Sequence, residues 1–208
     1  MTIELLTAAR IVPVVVIDEA AQAMDVATAL LDGGITCAEI TLRTPAGVAA
    51  LAAISALDGF TVGAGTVLTP AQVDECVDAG ARFIVSPGLD EQVVARALEL
   101  GVAVIPGVAT ATEIQRALRV GVDHVKFFPA NHLGGLPAID ALSAPFPGVR
   151  FMPSGGVGEA NALDYLGHPA VFAIGGSWMV GRSAIAAGDF EGIRAASAAA
   201  TALIGGAR

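Results

Sequence analysis

Short apolar runs alternate along the chain with longer stretches in which apolar residues recur every three or four positions. Residues 11–17 (IVPVVVI) read as a first buried strand, and a helical stretch over about 18–31 follows, ended by Asp32-Gly33-Gly34. The pattern then repeats. Strands are expected at 37–42, 60–66, 83–86, 103–105, 124–128, 150–153 and 171–174. Helices are expected from Pro45 to about 57, from the Thr69-Pro70 start, and over 90–100, 110–120, 137–142, 158–166 and 183–203. Residues 1–10 read as a short amphipathic helix without a signal-peptide pattern.

Eight strand–helix units spaced about 20–25 residues apart leave room for a parallel crossover at every step. They predict a (β/α)8 TIM barrel of about minimal size, filling residues 1–208 as a single catalytic domain. No side-chain pattern recurs at that spacing, which argues against a solenoid. A doubly wound open sheet is the rival, but the first strand runs into Asp18-Glu19 rather than a glycine-rich phosphate turn.

Composition narrows the class. Hydrophobic residues make up 54% and charged residues 15%, which excludes a disordered chain or a coiled coil. No apolar run reaches the roughly 18 residues of a spanning helix, so a soluble cytoplasmic protein is expected. The net charge of −9 argues against nucleic acid. A small anion would have to be held by backbone N–H groups, helix N-termini and a few arginines. Cys37 and Cys76 are far apart and read as buried free thiols. The three histidines lie outside any metal-ligand spacing, so no metal is expected. His124 reads as a core histidine, His132 and His168 as solvated, and Trp178 as a packing residue.

The chemistry centres on residues 124–129 (HVKFFP), which hold Lys126, the one lysine beside ten arginines. Arginine keeps its proton near neutrality, whereas a buried lysine can become a free amine and attack a carbonyl. A lone lysine in an apolar strand suggests Schiff-base chemistry; the alternative is a structural lysine whose stem packs while its tip reaches water. In a barrel, active groups sit where the strands end. The second strand reads Glu39-Ile40-Thr41-Leu42-Arg43, and alternation puts Glu39, Thr41 and Arg43 on the inner face. Their charges are costly there unless used or paired with each other. The third strand ends Gly63-Ala64-Gly65-Thr66, small residues that either admit a ligand or form a tight turn. Ser86-Pro87-Gly88 and Pro106-Gly107 would form rigid walls. Ser154-Gly155-Gly156 and Gly175-Gly176-Ser177, after the last two strands, match a recurrent backbone phosphate site.

Taken together, residues 39–45 (EITLRTP), 63–68 (GAGTVL), 86–88 (SPG), 126–130 (KFFPA), 154–156 (SGG) and 175–178 (GGSW) resemble the bacterial 2-keto-3-deoxy-6-phosphogluconate (KDPG) aldolases over essentially the whole chain. The resemblance implies a class I aldolase on a (β/α)8 barrel, a homotrimer without metal or organic cofactor, that also cleaves 4-hydroxy-2-oxoglutarate. It implies Lys126 as the Schiff-base amine and Glu39 as the proton carrier. Arg43 and Thr66 would bind the substrate carboxylate, and Gly155, Gly156 and Ser177 its phosphate. Pro87, Phe128 and Ser154 would wall the pocket, with Ser154 standing where the family often has Thr. Three alternatives stay open on sequence: the galactonate-epimer aldolase, a phosphosugar isomerase or epimerase, and a non-catalytic phosphosugar-binding barrel.

Overall fold

The structure is a computed structural model that describes residues 2–206. Its strands are β1 (Ile11–Val15), β2 (Cys37–Thr41), β3 (Thr61–Gly65), β4 (Phe83–Val85), β5 (Ala103–Ile105), β6 (Gly107–Val108), β7 (His124–Phe127), β8 (Arg150–Pro153) and β9 (Ile174–Gly176). They pair in parallel in the orders β5-β4-β3-β2-β1-β9 and β6-β7-β8. The two sheets are arcs of one ring. β5 and β6 are a single strand broken at Pro106, which has no N–H for the ladder but accepts the Lys126 N–H at 2.9 Å. Parallel bridges between Phe151 and Val171 and between Ser154 and Gly175 join β8 to β9. The expected TIM barrel therefore stands, closed by single bridges on that side rather than by a full ladder.

Helices α1 (Thr2–Ala9), α2 (Ala23–Asp32), α3 (Gly47–Ile54), α4 (Pro70–Asp78), α5 (Glu91–Glu99), α6 (Ala111–Arg119), α7 (Gly135–Ser143), α8 (Ala162–Leu166), α9 (Arg182–Ala186) and α10 (Phe190–Gly205) accompany the strands. Their starts follow from local chemistry. The Thr69 hydroxyl accepts the Gln72 N–H ahead of Pro70, and Asp90 accepts the N–H groups of Gln92 and Val93. Thr110 and Glu113 form a reciprocal capping box.

Two expected elements need correction. The stretch 183–203 is two helices: Gly188 adopts φ +69°, and the Asp189 carboxylate accepts the Gly192 N–H to start α10. The last strand is Ile174–Gly176 rather than 171–174, with Val171 contributing only a bridge. Glycine belongs in that strand because a Cβ at 175 would lie 2.9 Å from Ser154 Oγ, and one at 176 would lie 2.2 Å from the Trp178 ring.

Two apolar clusters hold the fold. The larger lies between strands and helices and includes Ile40, Leu51, Val62, Ile84, Val125 and Ile174. The smaller fills the barrel: Val12, Cys37, Phe83, Val85, Ile105, Met152, Phe172 and Ala173, with Leu6 of α1 joining it. Helix α1 thus plugs the end from which the strands start. Gly63 makes room for the Phe83 ring, which a Cβ there would meet at 2.4 Å. The packed floor separates that end from the opposite, C-terminal mouth, where the chemistry of such barrels sits.

Candidate active site

One step above Cys37 on the inner face of β2 comes Glu39, fully buried. Lys126 occupies β7 across the barrel, and its Nζ donates to Glu39 Oε1 at 3.1 Å and to Oε2 at 3.4 Å. The lysine side chain is 4% exposed, so its tip does not reach water as a snorkelling lysine would. Gly65 is what admits the pair: a Cβ there would fall 2.1 Å from Glu39 Oε1. The small residues at the end of β3 therefore clear space for Glu39 and Phe83.

Arg43 corrects the expected alternation. The strand ends at Thr41, so Arg43 lies in the following turn and is exposed. It forms no pair with Glu39, which is taken by Lys126. Its Nε instead donates to the Thr66 hydroxyl at 3.3 Å. Thr66 sits at φ +59°, a conformation a β-branched residue rarely holds and one that costs about 1–3 kcal/mol. Such strain is concentrated at sites where a side chain must be aimed. Thr41 is turned to the structure itself, its hydroxyl donating to the Val15 carbonyl at 2.9 Å.

The Phe128 ring centroid is 5.4 Å from Lys126 Nζ. Gly107 pairs with Lys126, and the Pro87 carbonyl lies against Gly107 so closely that a Cβ there would meet it at 2.1 Å. Ser86, buried, donates to the Gly88 carbonyl at 2.8 Å and stiffens that loop. Gly155 packs on Pro129 and Phe128, with φ +90°, which joins the glycine turn to the lysine end of the mouth. Gly156 follows at φ +82°. The Ser154–Gly175 bridge sets this turn beside the Gly175-Gly176-Ser177 turn. Ser154 is buried and Ser177 is exposed. Among the described residues, the N–H groups of Gly156 and Ser177 donate to no protein acceptor, whereas the Ser154–Gly175 bridge turns the Gly155 N–H toward the Gly175 carbonyl. Those of Gly156 and Ser177 can hold an anion.

The remaining candidates separate by position. His124 is half-buried at the start of β7, 2.7 Å from Asp123 and edge-on to Phe172. His132 is exposed. His168 is not solvated: its Nε2 lies 2.8 Å from Asp140 Oδ1, and its Nδ1 accepts the Ala170 N–H at 3.1 Å. Trp178 packs against the larger core cluster. Both cysteines are buried and free. Burial pushes the Cys37 thiol up to about 12 and, aided by Glu75, the Cys76 thiol up to about 11. Among the described residues no three His, Cys, Asp or Glu side chains gather as a metal site.

Two sets escaped the sequence reading. Asp18 and Arg182 form a bidentate pair at 2.6 and 2.7 Å that links the β1 loop to the start of α9. Asn131, Asn161 and Tyr165 surround the Gly155-Gly156 turn. In sequence these residues look like ordinary loop formers and a helix aromatic, and nothing in their spacing marks them.

A closed parallel barrel with a buried amine–carboxylate pair at its C-terminal mouth defines a class: a (β/α)8 enzyme equipped for carbonyl chemistry. Residues 2–196 match the family described as KDPG and KHG aldolase, and the chain belongs to that family of aldehyde-lyases. The chain is 47% identical to a 2-dehydro-3-deoxy-phosphogluconate aldolase of Treponema pallidum, covering 97% of each chain. It is 43% identical to a KHG/KDPG aldolase of Escherichia coli strain K12, covering 91% of this chain and 89% of that one. Its structure is similar to a KDPG aldolase from Legionella pneumophila with pyruvate captured as a covalent carbinolamine, at TM-score 0.92, 40% identity and coverage of 96% and 97%.

Proposed function

We propose that the protein cleaves 2-keto-3-deoxy-6-phosphogluconate to pyruvate and glyceraldehyde 3-phosphate through a Schiff base on Lys126, and 4-hydroxy-2-oxoglutarate to pyruvate and glyoxylate by the same route. The observation that carries this reading is the 3.1 Å contact between Lys126 Nζ and Glu39 Oε1, buried at the barrel mouth. The free amine attacks the C2 ketone, and the carbinolamine loses water to give an iminium. The iminium accepts the electrons of the breaking C3–C4 bond, which leaves the enamine of pyruvate. Glu39 takes the proton of the C4 hydroxyl as that bond breaks and returns a proton to C3 of the enamine. Hydrolysis then releases pyruvate and restores the amine.

Arg43 and Thr66, joined by their hydrogen bond, bind the carboxylate next to C2; a guanidinium fork suits that group. In the turn of Gly155 and Gly156 and at Ser177, backbone N–H groups and a hydroxyl take the phosphate at the far end. Phe128, Pro87 and Ser154 wall the pocket and keep water from the amine. The lysine supplies the electron sink, so the reaction needs no metal or organic cofactor. Residues 1–208 are read as one catalytic domain from the run of strand–helix units, as cytoplasmic from the composition, and as a homotrimer from the family resemblance; among the described residues no helix is long and apolar enough to cross a membrane.

Borohydride reduction in the presence of pyruvate, followed by peptide mass mapping, tests the reading. Lys126 is the one lysine in the chain, so a pyruvate-dependent adduct on it, with activity lost in proportion, is the expected result. Folded protein that gives no adduct would remove the aldolase assignment in favour of an isomerase or a binding barrel.

A further inference from the structure

The turn after β8 is held by a network that the catalytic scheme does not use. Three successive carbonyls of the turn are tied to one short segment. The Ala130 N–H donates to the Ser154 carbonyl at 2.8 Å, and the Asn131 N–H to the Gly155 carbonyl at 3.0 Å. The Asn131 side-chain Nδ2 donates to the Gly156 carbonyl at 2.6 Å, where Asn161 Nδ2 adds a second bond at 3.1 Å. Asn161 is itself fixed, accepting the Gly158 N–H at 2.9 Å.

The amide of Asn131 has only one productive orientation. The hydroxyl of Tyr165, a buried residue, donates to Asn131 Oδ1 at 2.7 Å, which turns Nδ2 toward Gly156. There is no slack at this point, because a Cβ on Gly156 would meet the Asn131 side chain at 2.7 Å.

Peptide planarity gives this network a consequence at a distance. In a trans peptide the carbonyl of one residue and the N–H of the next point in opposite directions. Fixing the carbonyls of Ser154, Gly155 and Gly156 against residues 130–131 therefore turns the N–H groups of Gly155, Gly156 and Val157 the other way. The Gly155 N–H is thereby turned to the Gly175 carbonyl across the Ser154–Gly175 bridge, while those of Gly156 and Val157 donate to no protein acceptor among the described residues. Two glycines at positive φ carry no side chain to hold such an arrangement by packing. The direction of the amides depends on what grips their carbonyls.

We propose that Asn131, oriented by Tyr165, is a positioning residue: its backbone N–H on the Gly155 carbonyl and its side chain on the Gly156 carbonyl aim the Gly156 and Val157 amides at the substrate's phosphate. The inference rests on the aldolase reading above and names the device behind its phosphate selectivity. Asn131 does not touch the substrate. Its side chain acts through the Gly156 carbonyl on the Val157 amide of the same peptide, so its loss lowers discrimination in favour of the phosphorylated aldehyde and not the carbonyl chemistry at Lys126.

The test uses the full chain and its Asn131→Ala and Tyr165→Phe variants in the condensation direction. Pyruvate is combined with D-glyceraldehyde 3-phosphate or with unphosphorylated D-glyceraldehyde. Asn131→Ala is expected to lower the ratio of the two kcat/KM values about tenfold, mainly through KM of the phosphorylated aldehyde. Tyr165→Phe, which removes one hydroxyl, is expected to lower it about threefold. A ratio unchanged in both variants overturns the proposal, whether the two activities fall together or stay put. If Asn131→Ala does not fold, the Tyr165→Phe ratio decides. Borohydride trapping of the wild type separates the two levels: no adduct overturns the aldolase reading and this inference together, whereas an adduct with an unchanged ratio overturns only this inference.

Discussion

Lys126 Nζ lies 3.1 Å from Glu39 Oε1 with the two side chains 4% and 0% exposed. The two residues are 87 positions apart in sequence. Burying such a pair costs several kcal/mol of desolvation per ion, which makes it a poor device for stability alone. In the proposed reaction that cost serves carbonyl chemistry at the barrel mouth, above a packed apolar floor.

Lys126→Arg keeps a cation beside Glu39 but removes the amine that forms the imine. Turnover is expected to disappear, together with the pyruvate-dependent adduct after borohydride. An isomerase that used Glu39 as its base would keep substantial activity in this variant, so a steady-state assay separates the two chemistries.

Glu39→Gln leaves the shape of the site and removes the proton carrier. Turnover is expected to fall by about 10²–10⁴-fold, while borohydride still traps pyruvate on Lys126. Normal turnover would take Glu39 out of the mechanism.

Gly65→Ala probes the packing that admits the pair. The new methyl would arrive 2.1 Å from Glu39 Oε1, so the carboxylate must move. A loss of about 1–3 kcal/mol in urea unfolding is expected from overpacking, accompanied by a drop in kcat. An unaltered kcat would mean that the position of Glu39 is not limiting.

Ser177→Ala removes the exposed hydroxyl beside the glycine turns. The expected result is a rise in KM for phosphorylated substrate that exceeds any change in methyl-proton exchange of pyruvate. Equal losses in both assays would place Ser177 outside the phosphate site.

The buried thiols give a chemical test of the core. With Cys37 raised to about 12 and Cys76 to about 11, both stay protonated at pH 8, and a protonated thiol is a poor nucleophile. Iodoacetamide at pH 8 is expected to label neither in the native protein and both in urea, where thiols return to about 8.5. Rapid labelling of Cys37 in the native protein would show that the barrel interior opens, and of Cys76 that α4 lifts from the strands.

Much of the architecture was legible because barrel strands and helices are specified locally. Apolar runs marked the strand sites, and Thr69, Asp90 and Thr110 announced helix starts by a chemistry that needs only the next three residues. Where reading failed, the deciding contact was remote. Gly175 and Gly176 look like a turn, yet they form a strand in which Ser154 and the Trp178 ring leave no room for side chains. Gly188-Asp189 was a readable break, passed over because the alanine-rich stretch around it favours helix. Arg43 was assigned to a strand that ends two residues earlier, so alternation no longer governed where it points.

The barrel, the singular lysine and the order of motifs along the strands are legible from the residues alone, because periodicity, capping and residue chemistry are properties of neighbours in the chain. Only the tertiary structure decided who meets whom: Glu39 with Lys126 rather than with Arg43, Gly65 as space for a carboxylate, and Asn131 and Tyr165 behind the glycine turn. Ring closure brings β2 opposite β7 and packs the segment after β7 against the turn after β8. Those contacts depend on the register and curvature of the whole ring, which no local window of sequence contains.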